Sequence, residues 1–327
     1  MKLMKHMSAL TISLAATALL ATSAIAETWD MPTPYPDGNF HTKNVRQFAE
    51  DVEKLSGGKL KLRVHSAASL MKITEIKRAV RDGDVKIGEV LMSVHANENA
   101  IFGADGVPFL AAGQGNAKKL WEAQKPIVEN ILQNENIDVL YTVPWPGQGI
   151  YVQEEIATID DMKGVRFRSY NAATARLAEL MGAVPTQVQY AEVAQAFSTG
   201  VVGAMVTSAQ SGVDLKAWDF LKVYYNTEAM HPKNMVIVNK EAFDGLDADV
   251  QQALLKAAKS AEERGWKRSE EIGVEAVEEL KKNGILVPEP PKAVVGRMQA
   301  IGDQMIAEWL ESAGENGKKL KDSYDGK

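Results

Sequence analysis

Cysteine is absent from all 327 residues. That absence removes disulfide staples, thiolate nucleophiles, iron–sulfur clusters and every cysteine-bearing zinc site. Histidine is scarce. His6, His41, His65, His95 and His231 are the whole complement, and no two stand at an HExxH or other metal-ligand spacing. The chain also lacks a GxSxG elbow, a Walker loop and a GxGxxG turn. No catalytic residue, metal ion or cofactor is therefore expected. Positive charge is short as well, with 37 Lys and Arg against 43 Asp and Glu and a formal net charge of -6. Such a surface repels phosphate backbones, so no nucleic-acid partner is expected. The acid-rich stretch 244–249 lacks the glycine and terminal glutamate of a calcium loop. The pairs Glu262-Glu263 and Glu270-Glu271 read as solvated helix faces. What remains is ordinary globular composition, 45% hydrophobic and 24% charged, which excludes disorder and collagen-like repeats.

A long apolar run occurs only at the start. Lys2 and Lys5 precede an uncharged stretch, 8–23, and Ala24-Ile25-Ala26 supplies a small-x-small cleavage pattern. Residues 1–26 therefore read as a secretory signal peptide cut after Ala26. The run is rich in Ala, Ser and Thr and barely reaches the ~20 residues of a membrane span. No cysteine follows the cut, so a lipid anchor is excluded. Cleavage takes away two lysines and no acid, moving the net charge to -8. The expected location is a bacterial periplasm.

Beyond the signal, strands alternate with helices. Val45, Phe48, Ala49, Val52 and Leu55 recur at helical steps over 41–55, and Gly57-Gly58 stops that helix. Leu60, Leu62 and Val64 then alternate with Lys59, Lys61 and Arg63, the mark of a half-buried strand. Helices are expected over 74–81 and 116–133, and strands over 85–91, 137–143, 165–169, 184–189, 202–206 and 235–239. Pro144 to Gly149 reads as a loop. Residues 247–282 contain no proline and no stop before Asn283-Gly284. A helix of that length spans roughly 50 Å, enough to cross two domains. The order implies an α/β protein with parallel or mixed sheets.

One segment points to ligand chemistry. From Asp160 to Ser169 a polar turn enters a strand in which Arg166 and Arg168 share a side, opposite Val165 and Phe167. An arginine at a strand end facing a cleft presents a planar fork of donors matched to a carboxylate or sulfonate, although both arginines also suit a solvated strand face.

The sequence resembles the solute-binding proteins of tripartite ATP-independent periplasmic (TRAP) transporters, the DctP type. The similarity runs from His41 to about Asn283. It rests on Ser56-Gly57-Gly58-Lys59-Leu60, Arg81-Asp82-Gly83-Asp84-Val85, Gly106-Val107-Pro108-Phe109-Leu110, Lys163-Gly164-Val165-Arg166-Phe167-Arg168, Glu192-Val193 and Thr199-Gly200-Val201-Val202, all in family order. The resemblance implies a two-lobed periplasmic binding protein fold with a hinge and a long helix across both lobes. It implies no enzyme, but a receptor that closes around a small organic anion clamped by Arg168 and passes it to membrane permease subunits. The expected lobes are 27–145 with 234–273, and 146–233 with 274–312, followed by an exposed tail, 313–327. A monomer is expected.

Two departures bear on the solute. Gln148 stands where many members carry a second arginine, and Thr207 where an asparagine often helps hold the carboxylate. A smaller, monoanionic or partly apolar solute is expected, with a sulfonate, zwitterion or hydroxylated amine as alternatives. A secreted hydrolase or lyase and a receptor serving a sensor kinase are the other readings. Pocket candidates beside Arg168 are Trp145, Gln148 and Tyr151 at the first crossing, Tyr170 and Asn171 after Arg168, Tyr190, Thr207 and Trp218. Ser93 and His95 join them at the end of the 85–91 strand, where α/β sheets bind ligands. Trp218, spaced with Leu215 and Leu221, suits a core equally well.

Overall fold

The computed structural model describes residues 26–327. The expected signal peptide, apart from Ala26, lies outside them. The first described element is a strand, β1 (Glu27–Pro32), whose Trp29 and Met31 are buried. Helix α1 (Phe40–Leu55) follows, capped by the Asn39 side chain, which accepts from the His41 backbone N–H at 2.9 Å. Its buried stripe holds the expected Val45, Phe48, Ala49 and Val52, while the expected Leu55 is left 41% exposed at the helix end. β2 (Leu60–His65) pairs in parallel with β1. α2 (Ile73–Asp82) ends on Gly83 in the left-handed conformation and leads to β3 (Ile87–Leu91). There Gly88 lets α2 approach closely, since a Cβ would sit 2.5 Å from Ile76. α3 (Gln114–Gln133) and β4 (Ile137–Pro144) complete the first stretch.

The chain then enters a second sheet built from β5 (Gln148–Val152), β6 (Arg166–Ser169), β7 (Val184–Gln187), β8 (Ala204–Ser208) and β9 (Val223–Tyr225). Between these strands lie α4 (Ala172–Leu180), α5 (Val193–Ser198) and α6 (Ala209–Asp214). The chain returns as β10 (Lys233–Asn239), followed by α7 (Lys240–Asp244), α8 (Ala248–Lys282) and α9 (Lys292–Asp325). β10 lies between β3 and β4, antiparallel to both, and β1 packs beside β3. The second sheet has the order β7-β6-β8-β5-β9, mixed in direction. These are two α/β lobes. The crossings 145–147 and 226–232 are hydrogen-bonded to each other: Trp145 N–H donates to Pro232 O at 2.8 Å and Gln148 N–H to Met230 O at 3.0 Å.

α8 is the long helix expected from the sequence, and its 35 residues pack on α1 and β4 of the first lobe and on α6 of the second. The tail is different from expectation. Residues 313–327 are not frayed but continue α9 to Asp325 beyond a kink at Gly314, where φ is 54° and ψ is -136°. Leu320 is fully buried there, and Lys119 of α3 lies over the Tyr324 ring. α9 also touches both lobes, packing on α3 and α4, with Trp309 Nε1 donating to Ala100 O at 2.8 Å. Among the described residues no helix is long and apolar enough to cross a membrane.

Candidate functional site

Arg168 sits on β6 between β7 and β8, opposite Thr186 and Met205. It is buried, with 4% of its surface exposed. Its Nε–H donates to Val188 O at 3.0 Å, and its guanidinium carbon lies 4.8 Å from the Tyr170 ring centre. Its two terminal nitrogens donate to no protein group among the described residues. Burial pushes its pKa down to about 10, partly offset by the neighbouring hydroxyls of Tyr170, Tyr190 and Tyr35, with no carboxylate contributing. The group is still a cation at neutral pH, and a buried cation without a counter-charge is a costly arrangement that an anion relieves.

Around Arg168 the lobes line a partly open pocket of about 420 Å³, a volume that includes its solvent-open part. The second lobe contributes Gln148, Tyr170, Gln189, Tyr190, Thr207 and Ser211. Tyr35, Ile73, Leu91, Val94, Trp145 and Pro232 come from the first lobe and its crossings. The Tyr170 hydroxyl donates to Gln148 Oε1 at 2.7 Å, which leaves the Gln148 amide nitrogen as a donor. Tyr35 meets Trp145 and Tyr190 edge to face, with ring centres 5.1 and 5.3 Å apart. The lining holds one cation and neither Asp nor Glu.

The lobes also touch directly. Asn39 Nδ2, at the start of α1, donates to Asp214 Oδ2 at the end of α6 at 2.7 Å, and the Tyr190 hydroxyl donates to the same oxygen at 3.1 Å. On the other side, Asn171 Nδ2 donates to Ser93 Oγ at 2.9 Å.

Six of the expected residues thus meet at the cavity: Arg168, Gln148, Thr207, Trp145, Tyr170 and Tyr190. Five others stand elsewhere. Tyr151 is fully buried beneath α6, stacked on Tyr224 at 4.3 Å, with its hydroxyl 3.3 Å from Ser208 O. Gly212 permits that cover, because a Cβ there would lie 2.0 Å from the Tyr151 oxygen. Trp218 packs half-buried against the core of the second lobe. Asn171 caps α4 by accepting from the Thr174 N–H, and its amide is spent on Ser93, so both are bridge residues between lobes. His95 belongs to a separate polar cluster, with its Nδ1 2.7 Å from Glu98, which with Glu135 also holds Lys77. Burial lowers the His95 pKa, opposed by Glu98.

Among the lining residues that sequence reasoning missed, Tyr35 had a signal. The alternation Trp29, Met31 marks β1, and Pro34-Tyr35-Pro36 follows its carboxyl end, where open α/β sheets place ligands. Gln189 and Ser211 carry no such mark.

A family model described as DctP, bacterial extracellular solute-binding protein, family 7, matches residues 33–312. The Bordetella pertussis extracytoplasmic solute receptor DctP7, solved as a receptor binding pyroglutamic acid, is 45% identical with a TM-score of 0.90 over 92% of this chain and 100% of its own. A TRAP solute binding protein from a marine metagenome, specific for pyroglutamate and solved with co-purified pyroglutamate, is 41% identical with a TM-score of 0.90 over 92% and 99%. The sialic acid-binding periplasmic protein SiaP of Vibrio cholerae is 23% identical over 298 residues, 88% of this chain and 90% of that one. These relatives are receptors and not enzymes. With a family match covering most of its length and a two-lobed α/β fold, the chain belongs to the DctP family of bacterial extracellular solute-binding proteins.

Proposed function

We propose that this protein is the periplasmic receptor of a TRAP transporter for a small cyclic monocarboxylate, and that its solute is pyroglutamate. The observation that carries the proposal is the buried Arg168 guanidinium, whose terminal nitrogens have no protein partner. A carboxylate accepts from both at once in the forked geometry that makes such pairs strong, and burial between lobes removes competing water. The lining supplies one positive charge and no negative one. That balance suits a monoanion and leaves an ammonium group without a counter-charge. Pyroglutamate carries one carboxylate and a lactam, so it has no ammonium. The lactam edges suit Gln148, Thr207 and Ser211, and its ring suits the aromatic surface of Tyr35, Trp145 and Tyr190. The pyroglutamate receptors at 41% and 45% identity support the same solute.

The solute is held by closure of the lobes about the crossings 145–147 and 226–232, with the Asn39–Asp214 and Asn171–Ser93 bonds fastening the closed form. The closed monomer then docks on the membrane permease. Export by the signal peptide, cut after Ala26, places it in the periplasm.

Titration calorimetry of the solute-stripped mature protein tests the reading. Pyroglutamate is expected to bind, whereas proline, with the same ring size but an ammonium and no lactam carbonyl, is expected to fail. Silence toward pyroglutamate and other cyclic monocarboxylates sinks the acid reading, and equal binding of proline sinks the charge argument.

A further inference from the structure

Behind the aromatic wall of the cavity lies a polar chain that touches none of the free space. Glu89 on β3 is buried, with 2% of its surface exposed. Its Oε2 accepts from the Thr33 hydroxyl, and its Oε1 accepts from Asn234 Nδ2 at 3.0 Å. Asn234, 1% exposed at the start of β10, turns its Oδ1 to two aromatic donors, the Tyr35 hydroxyl and Trp145 Nε1, each at 3.1 Å. Both aromatic residues line the cavity.

The amide has only one workable orientation. An indole N–H donates and never accepts, so Trp145 requires the Asn234 oxygen. Glu89 Oε1 is an acceptor whether or not Oε2 carries a proton, so it requires the Asn234 nitrogen. A flipped amide would set donor against donor at Trp145 and acceptor against acceptor at Glu89 in a dry interior, where each unmet group is penalised. Glu89 thereby fixes the amide, and the amide fixes two rings. His41, 3.6 Å from Oε1, adds no hydrogen bond although its ring packs on Tyr35 and Trp145, so the asparagine is the hydrogen-bonded route from this carboxyl group to the cavity.

We infer that Glu89 and Asn234 are positioning residues for solute recognition, setting the placement of Tyr35 and Trp145 without touching the solute themselves. The inference deepens the proposed receptor function and rests on that cavity being the solute site.

Nitrogen-15 labelling of the tryptophan indoles tests it without any solute, with the Trp145 resonance assigned through Trp145→Phe. In wild type the Trp145 indole proton is expected to be protected from exchange. Glu89→Leu is expected to accelerate its exchange at least tenfold while the other five indoles hold their rates, and to weaken pyroglutamate binding at least tenfold. Glu89→Gln keeps an oxygen toward Asn234 and is expected to stay within threefold of wild type in both. Where Glu89→Leu does not fold, an amide swap replaces it. Asn234→Asp alone faces Glu89 with a second carboxyl group and is expected to lose the protection. Glu89→Gln with Asn234→Asp restores donor to acceptor and is expected to regain it. Unchanged exchange in Glu89→Leu or Asn234→Asp, or a swap that recovers nothing, overturns the inference. If wild type ignores pyroglutamate while the indole responds as described, the solute assignment fails and the positioning role stands.

Discussion

Replacing Arg168 with methionine should make the empty receptor more stable while destroying its function. Burial lowers the Arg168 pKa from the ordinary guanidinium value to about 10, which corresponds to ~3 kcal/mol of disfavour for the charged form. For a base with a depressed folded pKa, that penalty is fully present at neutral pH and fades only as pH rises through the folded value. Methionine occupies similar volume without charge. It forfeits the Nε–H bond to Val188 O, a loss of about 1 kcal/mol. The net expectation is a gain of ~2 kcal/mol in the unliganded protein, or about 4 °C in melting temperature for a chain of this size. Solute binding moves the other way. Pyroglutamate at one hundred times its Kd should stabilise wild type by about 2.7 kcal/mol. Loss of one partner of a buried charge pair should weaken binding by roughly 2–5 kcal/mol, cutting that shift to below about 1 kcal/mol. Thermal melts of stripped protein with and without pyroglutamate read both effects in one experiment. An Arg168→Met variant that melts below wild type when empty refutes the account of the unpaired cation. One that keeps the full solute shift refutes the clamp.

Four further outcomes are expected. Asn39→Ala removes a hydrogen bond to the Asp214 carboxylate across the lobes and should weaken solute binding by about 1.5–3 kcal/mol, chiefly through faster release in stopped-flow measurements. Tyr151→Phe and Trp218→Phe, lying away from the cavity, should leave pyroglutamate affinity within about twofold in calorimetry. Gly212→Ala would press a methyl group into the Tyr151 hydroxyl and should cost about 1–3 kcal/mol in urea unfolding. Glu89 should make stability depend on pH, because burial raises its pKa from 4.5 to about 7. Between those values the folded state binds the proton that the unfolded state has released, so stability falls as pH rises through the window. The buried His41 and His231, with pKa values pushed down by burial, act in the opposite direction, adding stability as pH rises toward their unfolded value. Comparison with Glu89→Gln isolates the carboxyl group. The variant should gain on wild type by up to ~3 kcal/mol between pH 4.5 and 7.5, and a gap constant with pH would contradict this origin.

Local patterns in the sequence carried far where one element answers to one neighbour. The stripe Val45, Phe48, Ala49, Val52 and the unbroken run to Lys282 have α1 and α8 written in their spacing, because a helix buries the face its period exposes. The turn and strand marked Arg166 and Arg168 only as a pair; the family resemblance singled out Arg168, and the structure buries it while leaving Arg166 exposed. α9 was not legible. Glycines at 296, 302, 314 and 317 weaken its helical pattern, yet Gly302 is there for packing, since a Cβ would fall 2.7 Å from Phe109. Tyr151 and Tyr35 show the same limit in the site. Tyr151 is withdrawn from the cavity by α6 laid across it, and Tyr35 is brought to it by an asparagine almost two hundred positions away. The placement of Tyr151 has no local cause, and that of Tyr35 only half of one, its position after β1.

The strand order of the first lobe also bears on how the protein is made. β3 and β4 do not pair with each other; both pair with β10, whose residues follow every strand of the second sheet. On the ribosome, the lobe encoded first must therefore wait for its central strand, while the lobe encoded second has all five of its strands by Tyr225. The sheet begun first is thus closed after the five strands of the second, while the core of the second lobe in turn takes Ala276, Leu280 and Ile285 from the later chain. A chain ending at Tyr225 lacks the strand that joins β3 to β4, which residues Lys233–Asn239 supply.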